Sequence, residues 1–185
     1  MPMDVIRRIF DDARSMGFRK DLCLIFYNEP TMDPRLPEIV ELASQYPFRS
    51  IFMHSNGDFM TEELARQLDG KMSWIFFSIY ADEPARSHRQ QQIQGWFHKT
   101  EARFGNSLHG LTHYGPIADI TGVLSKTQEM TCSEPLDRFI INHRGEMTLC
   151  CDDITGNYNL GRVQDLGLYD LWFNPRHQQI MHQLQ

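Results

Sequence analysis

The sequence predicts an α/β fold: an open sheet of parallel strands with helices between them, followed by a smaller unit built on a β-hairpin and a terminal helix. Three observations carry this prediction. Short unbroken apolar runs alternate with segments of helical periodicity through the first half of the chain. From about residue 126 the pattern changes to short strands on either side of a glycine turn. Three of the four cysteines, Cys132, Cys150 and Cys151, fall in that second region. The expected division is therefore 1–125 and 126–185.

Val5, Ile6, Ile9, Phe10, Ala13 and Met16 recur at helical spacing, and Gly17 is placed to end the helix. Leu22–Tyr27 is a short apolar run that reads as a strand buried on both faces, with Cys23 in the core. Asp33 and Pro34 open a second helix whose apolar face is Leu36, Ile39, Val40 and Ala43, and Pro47 stops it. Ser50–His54 is a second strand, ending in the turn Ser55-Asn56-Gly57. Thr61 caps a third helix, with Glu62 and Glu63 favourably placed in its first turn and Gly70 beyond its end. Ser73–Tyr80 is a third strand. Pro84 then opens a long helical stretch through Ile93, Trp96, Phe97 and Phe104, closed by Gly105. With one weaker strand at 117–123, there are too few strands for a closed eight-stranded barrel, so the sheet is open or incomplete.

In the second region Phe139–Ile141, the turn Asn142–Gly145 and Met147–Cys150 read as a hairpin. Gly156 to Gly161 form a loop. Asp165–Gln185 reads as a terminal helix with Leu168, Leu171 and Trp172 on one face.

The 185 residues are 41 % hydrophobic and 23 % charged, an ordinary globular composition. The formal net charge of −6 argues against nucleic-acid binding through the phosphate backbone. No apolar run approaches the ~18 residues of a membrane span, and the charged N-terminus is not a signal peptide. A cytoplasmic protein is the expectation.

Ligands of parallel sheets bind beyond the carboxyl ends of the strands. Glu29, Asn56 and Ser78 sit at those ends here. A carboxylate, a carboxamide beside a glycine and a hydroxyl can together hold an ammonium group and ribose hydroxyls. The competing reading is structural: Asn56-Gly57 is a turn, and Glu29 caps the next helix. The second candidate site is Cys132 and Cys150 on either side of Gly145. Two thiolates around a turn suit an iron–sulfur cluster, or zinc, or simply two buried cysteines. Cys151 follows directly, and in extended backbone its side chain points to the other face, which suits packing.

The stretch Asn28-Glu29-Pro30-Thr31-Met32-Asp33-Pro34-Arg35-Leu36-Pro37-Glu38-Ile39, then Ser55-Asn56-Gly57 and Phe77-Ser78-Ile79-Tyr80, resembles the middle of a radical S-adenosylmethionine (radical SAM) enzyme. The segment from Cys132 through Gly145 and Cys150-Cys151-Asp152, then Asn159-Leu160-Gly161-Arg162-Val163 and Leu168-Tyr169-Asp170-Leu171-Trp172, resembles the start of the SPASM or twitch extension of that family. The two stretches cover about 20 to 175, the second being the more specific. The resemblance implies a partial (β/α)6 barrel of parallel strands followed by a SPASM/twitch-like hairpin and helix. It implies that Glu29 meets the methionine amino group of S-adenosylmethionine, with Asn56 and Ser78 near the ribose. It also implies that Cys132 and Cys150 are two ligands of an auxiliary 4Fe-4S cluster, an incomplete set, and that the intact family modifies a peptide or small molecule.

Two features depart from the family pattern. The sequence has no CxxxCxxC motif, whose thiolates hold the cluster that reduces S-adenosylmethionine, and the further cysteines of the auxiliary cluster are absent. A chain cut at both ends, without independent radical chemistry, is the resulting expectation. A non-catalytic module binding a protein or peptide, and a zinc-stabilised α/β domain, are the alternatives. An incomplete barrel also leaves an unpaired strand edge, which favours association with another chain.

Overall fold

A first helix, α1 (Met3–Ser15), precedes four short strands that pair in the order in which they occur. β1 (Leu22–Cys23), β2 (Ile51–Ser55), β3 (Trp74–Phe77) and β4 (Glu101–Phe104) form one parallel sheet in the order β1-β2-β3-β4. This computed structural model describes residues 1–25, 27–105, 134–150, 153, 156 and 158–183. The chain separates into two compact units, Gly17–Ser107, which holds the sheet, and Met1–Met16 with Leu108–Gln185. The division expected near residue 125 lies outside the described residues, as does the strand expected at 117–123.

In the sheet unit a helix stands between each pair of strands: α2 (Leu36–Ser44), α3 (Glu62–Leu68) and α4 (Ala85–Trp96). Their apolar faces supply Val40, Ala43, Ala65, Leu68 and Ile93 to the core. Ile51, Met53 and Ser55 of β2 and Ile75 and Phe77 of β3 are buried with them. The alternate residues form the second face, where Phe52 stacks on Trp74 at 4.1 Å and the Arg103 guanidinium lies 4.6 Å from the Trp74 ring centre. The two central strands, β2 and β3, are thus buried on one face only. Cys23 shares the register of Phe52 on the second face and is exposed, so it is not the core residue the apolar run suggested.

The helix expected to run from Pro84 to Phe104 ends at Trp96, and its last part is β4. The cause is Asp69. Its Oδ1 accepts the backbone N–H groups of His98, Lys99 and Thr100 at 3.2, 2.8 and 2.8 Å, which diverts those donors from a helix. Thr100 Oγ1 adds a bond to Met72 O and accepts the Gly70 N–H, tying the start of β4 to the end of α3. Gly105 is needed for space rather than as a helix end: a Cβ there would sit 2.4 Å from the Phe76 ring. Thr61 behaves as the sequence predicts, its hydroxyl accepting the Leu64 N–H at 3.1 Å.

The other unit contains α5 (Glu134–Asp137), the hairpin β5 (Ile140–Ile141) and β6 (Met147–Thr148), α6 (Leu168–Trp172) and α7 (Pro175–Gln183). The hairpin turn is set by Asn142, whose Oδ1 accepts the N–H groups of Arg144 and Glu146. Gly145 has φ +80°, and a Cβ there would meet the Gln164 amide at 2.5 Å. The segment Leu160–Val163 adds to β6 as a third line of backbone pairing, with Met147 N–H bonding Gly161 O and Val163 N–H bonding Gly145 O. Helix α1 belongs to this unit rather than to the sheet. Asp12 Oδ2 accepts the Leu168 N–H at the start of α6, and Arg8 Nη1 donates to Gln164 O. The single terminal helix expected from Asp165 is two helices. Asn174 precedes Pro175 and caps the second, accepting the Arg176 N–H at 2.9 Å.

Candidate functional site

The carboxyl ends of β1 and β2 meet through one side chain. Glu29, which opens the short 3-10 turn Pro30–Met32 after β1, accepts at Oε1 from Thr31 N, Thr31 Oγ1 and Ser55 Oγ at 3.1, 2.5 and 2.8 Å. Among the described residues its Oε2 accepts only the backbone N–H of Asn56, at 2.7 Å. A carboxylate oxygen has room for a second donor, so Oε2 can take an ammonium hydrogen while Oε1 stays saturated. The donor set therefore fits a cationic amino group.

Asn56 divides its carboxamide. The Oδ1 accepts the Asp58 N–H at 2.9 Å and closes the turn, which leaves the Nδ2 hydrogens as donors for a ligand. Asn56-Gly57 is a turn, and that turn lies at the same strand end as Glu29. Gly57 is required here, with φ +78° and the Ile79 side chain 2.6 Å from where a Cβ would lie. Ser78 prolongs the pairing of β3 with β2 by one residue, its N–H donating to Ser55 O at 2.9 Å. Ser78 is half-buried at the same strand end. The structure thus brings Glu29, Asn56 and Ser78 to one sheet edge: Glu29 accepts from Ser55 Oγ and the Asn56 N–H, and the Ser78 N–H donates to Ser55 O.

At the hairpin, Cys150 is half-buried two residues beyond β6, and its carbonyl accepts the Asp153 N–H at 3.2 Å, turning the chain. Cys132 and Cys151 lie outside the described residues. Among the described residues no three His, Cys, Asp or Glu side chains converge on a metal-sized centre. Thiolate is the donor an iron–sulfur cluster takes, so the chemistry of Cys150 fits the group.

The model of the SPASM iron–sulfur cluster-binding domain matches residues 132–185. A solved structure of BtrN in complex with AdoMet (S-adenosylmethionine) and 2-DOIA is similar to the whole chain at TM-score 0.81 and 20 % identity, over 74 % of that protein. BtrN in an open conformation is similar at TM-score 0.71 and 18 % identity, over 100 % of this chain and 73 % of that one. Native anSMEcpe with bound AdoMet and Kp18Cys peptide is similar at TM-score 0.67 and 10 % identity, over 97 % of this chain and 74 % of that one. The chain has the fold of these AdoMet-bound proteins, and its residues 132–185 match the SPASM domain. A search of curated proteins finds no match. Among the described residues no helix is long and apolar enough to cross a membrane.

Within this sheet, three residues matter that were not among the candidate site residues. Ser55 is buried and bridges the site, donating to Glu29 and accepting the Gly57 N–H at 3.0 Å. The signal was available: Ser55 occupies a core-facing position of β2, and a buried hydroxyl there requires a polar partner. Thr31 holds Glu29 through both its N–H and its hydroxyl, a pattern that Glu-Pro-Thr hints at locally. Arg89 grips the turn after Asn56 from α4, which no local pattern announces.

Proposed function

We propose that this chain binds S-adenosylmethionine at the carboxyl edge of its sheet, as part of a cytoplasmic radical SAM/SPASM machinery acting on a peptide or small molecule. The observation that carries this reading is the Glu29 carboxylate, fixed by Ser55, Thr31 and the Asn56 N–H with acceptor capacity left on Oε2. Glu29 takes the amino group of the ligand. Asn56 Nδ2 and Ser78 Oγ serve the ribose hydroxyls. Two of the similar structures hold AdoMet, and one of them also holds a peptide, which supports both the ligand and the substrate class.

Cys132 and Cys150 supply thiolates to an auxiliary 4Fe-4S cluster in the SPASM segment, which the match over 132–185 supports. Bound together, AdoMet and iron–sulfur clusters supply reductive radical chemistry. The four cysteines of this sequence contain no CxxxCxxC spacing, so the residues of this chain bind and orient AdoMet without holding a cluster against it.

Anaerobic reconstitution with iron and sulfide, followed by metal analysis and assay for 5′-deoxyadenosine, tests this assignment. The expected result is iron that is lost in Cys150→Ala, with no 5′-deoxyadenosine from the chain alone. Stoichiometric zinc in place of iron, or iron unaffected by Cys150→Ala, overturns the cluster assignment.

A further inference from the structure

Arg89 lies in the middle of α4, on the helix that follows β3, yet its guanidinium reaches the turn that follows β2. Its Nη2 donates to Gly57 O at 2.7 Å and to Met60 O at 2.6 Å, and its Nη1 donates to Gln92 Oε1 at 2.6 Å. The Trp96 ring, one helical turn beyond Gln92, lies 5.1 Å from the guanidinium carbon. Gln92 and Trp96 therefore aim the fork from its own helix, and both carbonyls it grips belong to the turn between β2 and α3. Charge-assisted bonds of this kind are stronger than the backbone bond they reinforce, Met60 N–H to Gly57 O at 3.3 Å.

The other end of that turn is Asn56, whose N–H sits on Glu29 and whose carboxamide faces the ligand edge. The loop that carries Ser78 leads directly into α4. One cation on α4 thus ties the β2 turn to the helix that starts behind Ser78. We infer that Arg89 is a positioning residue that holds the Asn56–Met60 turn in register with Glu29, and so sets the affinity of the edge for AdoMet. This rests on the reading of the edge as an AdoMet site.

Two measurements on the full chain separate the clamp from that reading. Amide hydrogen exchange is compared for wild type, Arg89→Met and Arg89→Lys, and AdoMet affinity is measured by equilibrium dialysis on the same samples. Arg89→Met is expected to raise exchange at Asn56–Met60 by at least about tenfold while β3 and β4 stay protected. It is also expected to weaken AdoMet binding by about tenfold, the scale of one displaced hydrogen bond. Arg89→Lys, which keeps the charge but not the fork, recovers part of both. Unchanged exchange in Arg89→Met overturns the clamp. Raised exchange with unchanged AdoMet affinity makes Arg89 merely structural and overturns the positioning role. Raised exchange in a chain whose wild type binds no AdoMet upholds the clamp and sinks the AdoMet site.

Discussion

The Glu29 carboxylate accepts the backbone N–H of Asn56 at 2.7 Å, so beyond the last backbone pair, Leu24 N–H to Phe52 O, the segment after β1 is joined to the end of β2 by a charged acceptor. Ser55 completes the joint by donating to Glu29 and accepting from Gly57. Ser55→Ala removes little volume but strands the buried Gly57 N–H. Chemical denaturation is expected to show a loss of about 1–3 kcal/mol, the cost of an unsatisfied buried donor. A loss below experimental error means that Gly57 finds another acceptor and that Ser55 does not organise the edge.

Asp69 gathers three N–H groups from the start of the β4 segment. Desolvation opposes its ionisation, but the N–H groups of Thr100, Lys99 and His98 outweigh it and keep the carboxyl below its ordinary range. Asp69→Ala hands the exposed His98 and Lys99 N–H groups to water and strands that of the buried Thr100, with an expected loss of about 1–2 kcal/mol in urea unfolding. Amide exchange should rise first at His98–Phe104. Equal exchange in wild type and variant there contradicts the role given to Asp69.

Much of this was readable locally. Thr61, with two glutamates after it, marks the start of α3 because a side-chain cap needs only nearby residues. The strand-end positions of Glu29, Asn56 and Ser78 followed from parallel-sheet geometry. β4 was not readable, because Asp69 decides it from about thirty residues away and Glu-Ala-Arg-Phe carries little strand signal. The placement of α1 depends on Asp12 capping α6 at a separation of 156 residues, which leaves no periodic trace. The break at Asn174-Pro175, by contrast, was written in the sequence as a residue disfavoured from helix before proline.

At the opposite end of the sheet, before β1 and β2, the Asp21 carboxylate receives Arg49 Nε at 2.9 Å, Arg49 Nη2 at 2.5 Å and the Ser50 hydroxyl at 2.7 Å. Arg49 and then Ser50 hold its pKa down to about 2. A carboxyl depressed in the folded state stabilises above its unfolded value of about 4, and that contribution is lost as pH falls toward 2. Because both side chains reach solvent, screening limits it to under about 1 kcal/mol. Asp21→Asn is therefore expected to lower the melting temperature at neutral pH and to match wild type near the acid end. An equal deficit at both ends of the pH range contradicts the ionic origin of the contact.

His177 is fully buried, with Nδ1 2.8 Å from Trp172 O and its ring edge-on to Trp172 at 4.8 Å. A carbonyl only accepts, so Nδ1 carries the proton and Nε2 is an acceptor, one that has no partner among the described residues. Trp172 O also receives Gln178 Nε2 at 2.8 Å and stays satisfied without the imidazole. His177→Phe is expected to stabilise the fold by about 1 kcal/mol by removing a stranded acceptor, and His177→Ala to destabilise it by about 3 kcal/mol through the cavity. A clear loss of stability in His177→Phe means that Nε2 is bonded in solution.

Glu29 as the seat of the AdoMet amino group is the claim from which the functional reading follows. Calorimetric titration of AdoMet into the anaerobically handled full chain, wild type against Glu29→Gln, measures it most directly, with circular dichroism confirming that both are folded. Saturable binding in wild type, weakened at least about tenfold when the carboxylate becomes an amide, is the predicted result. A folded wild type that gives no saturable heat, or a Glu29→Gln chain that binds as tightly as wild type, contradicts it.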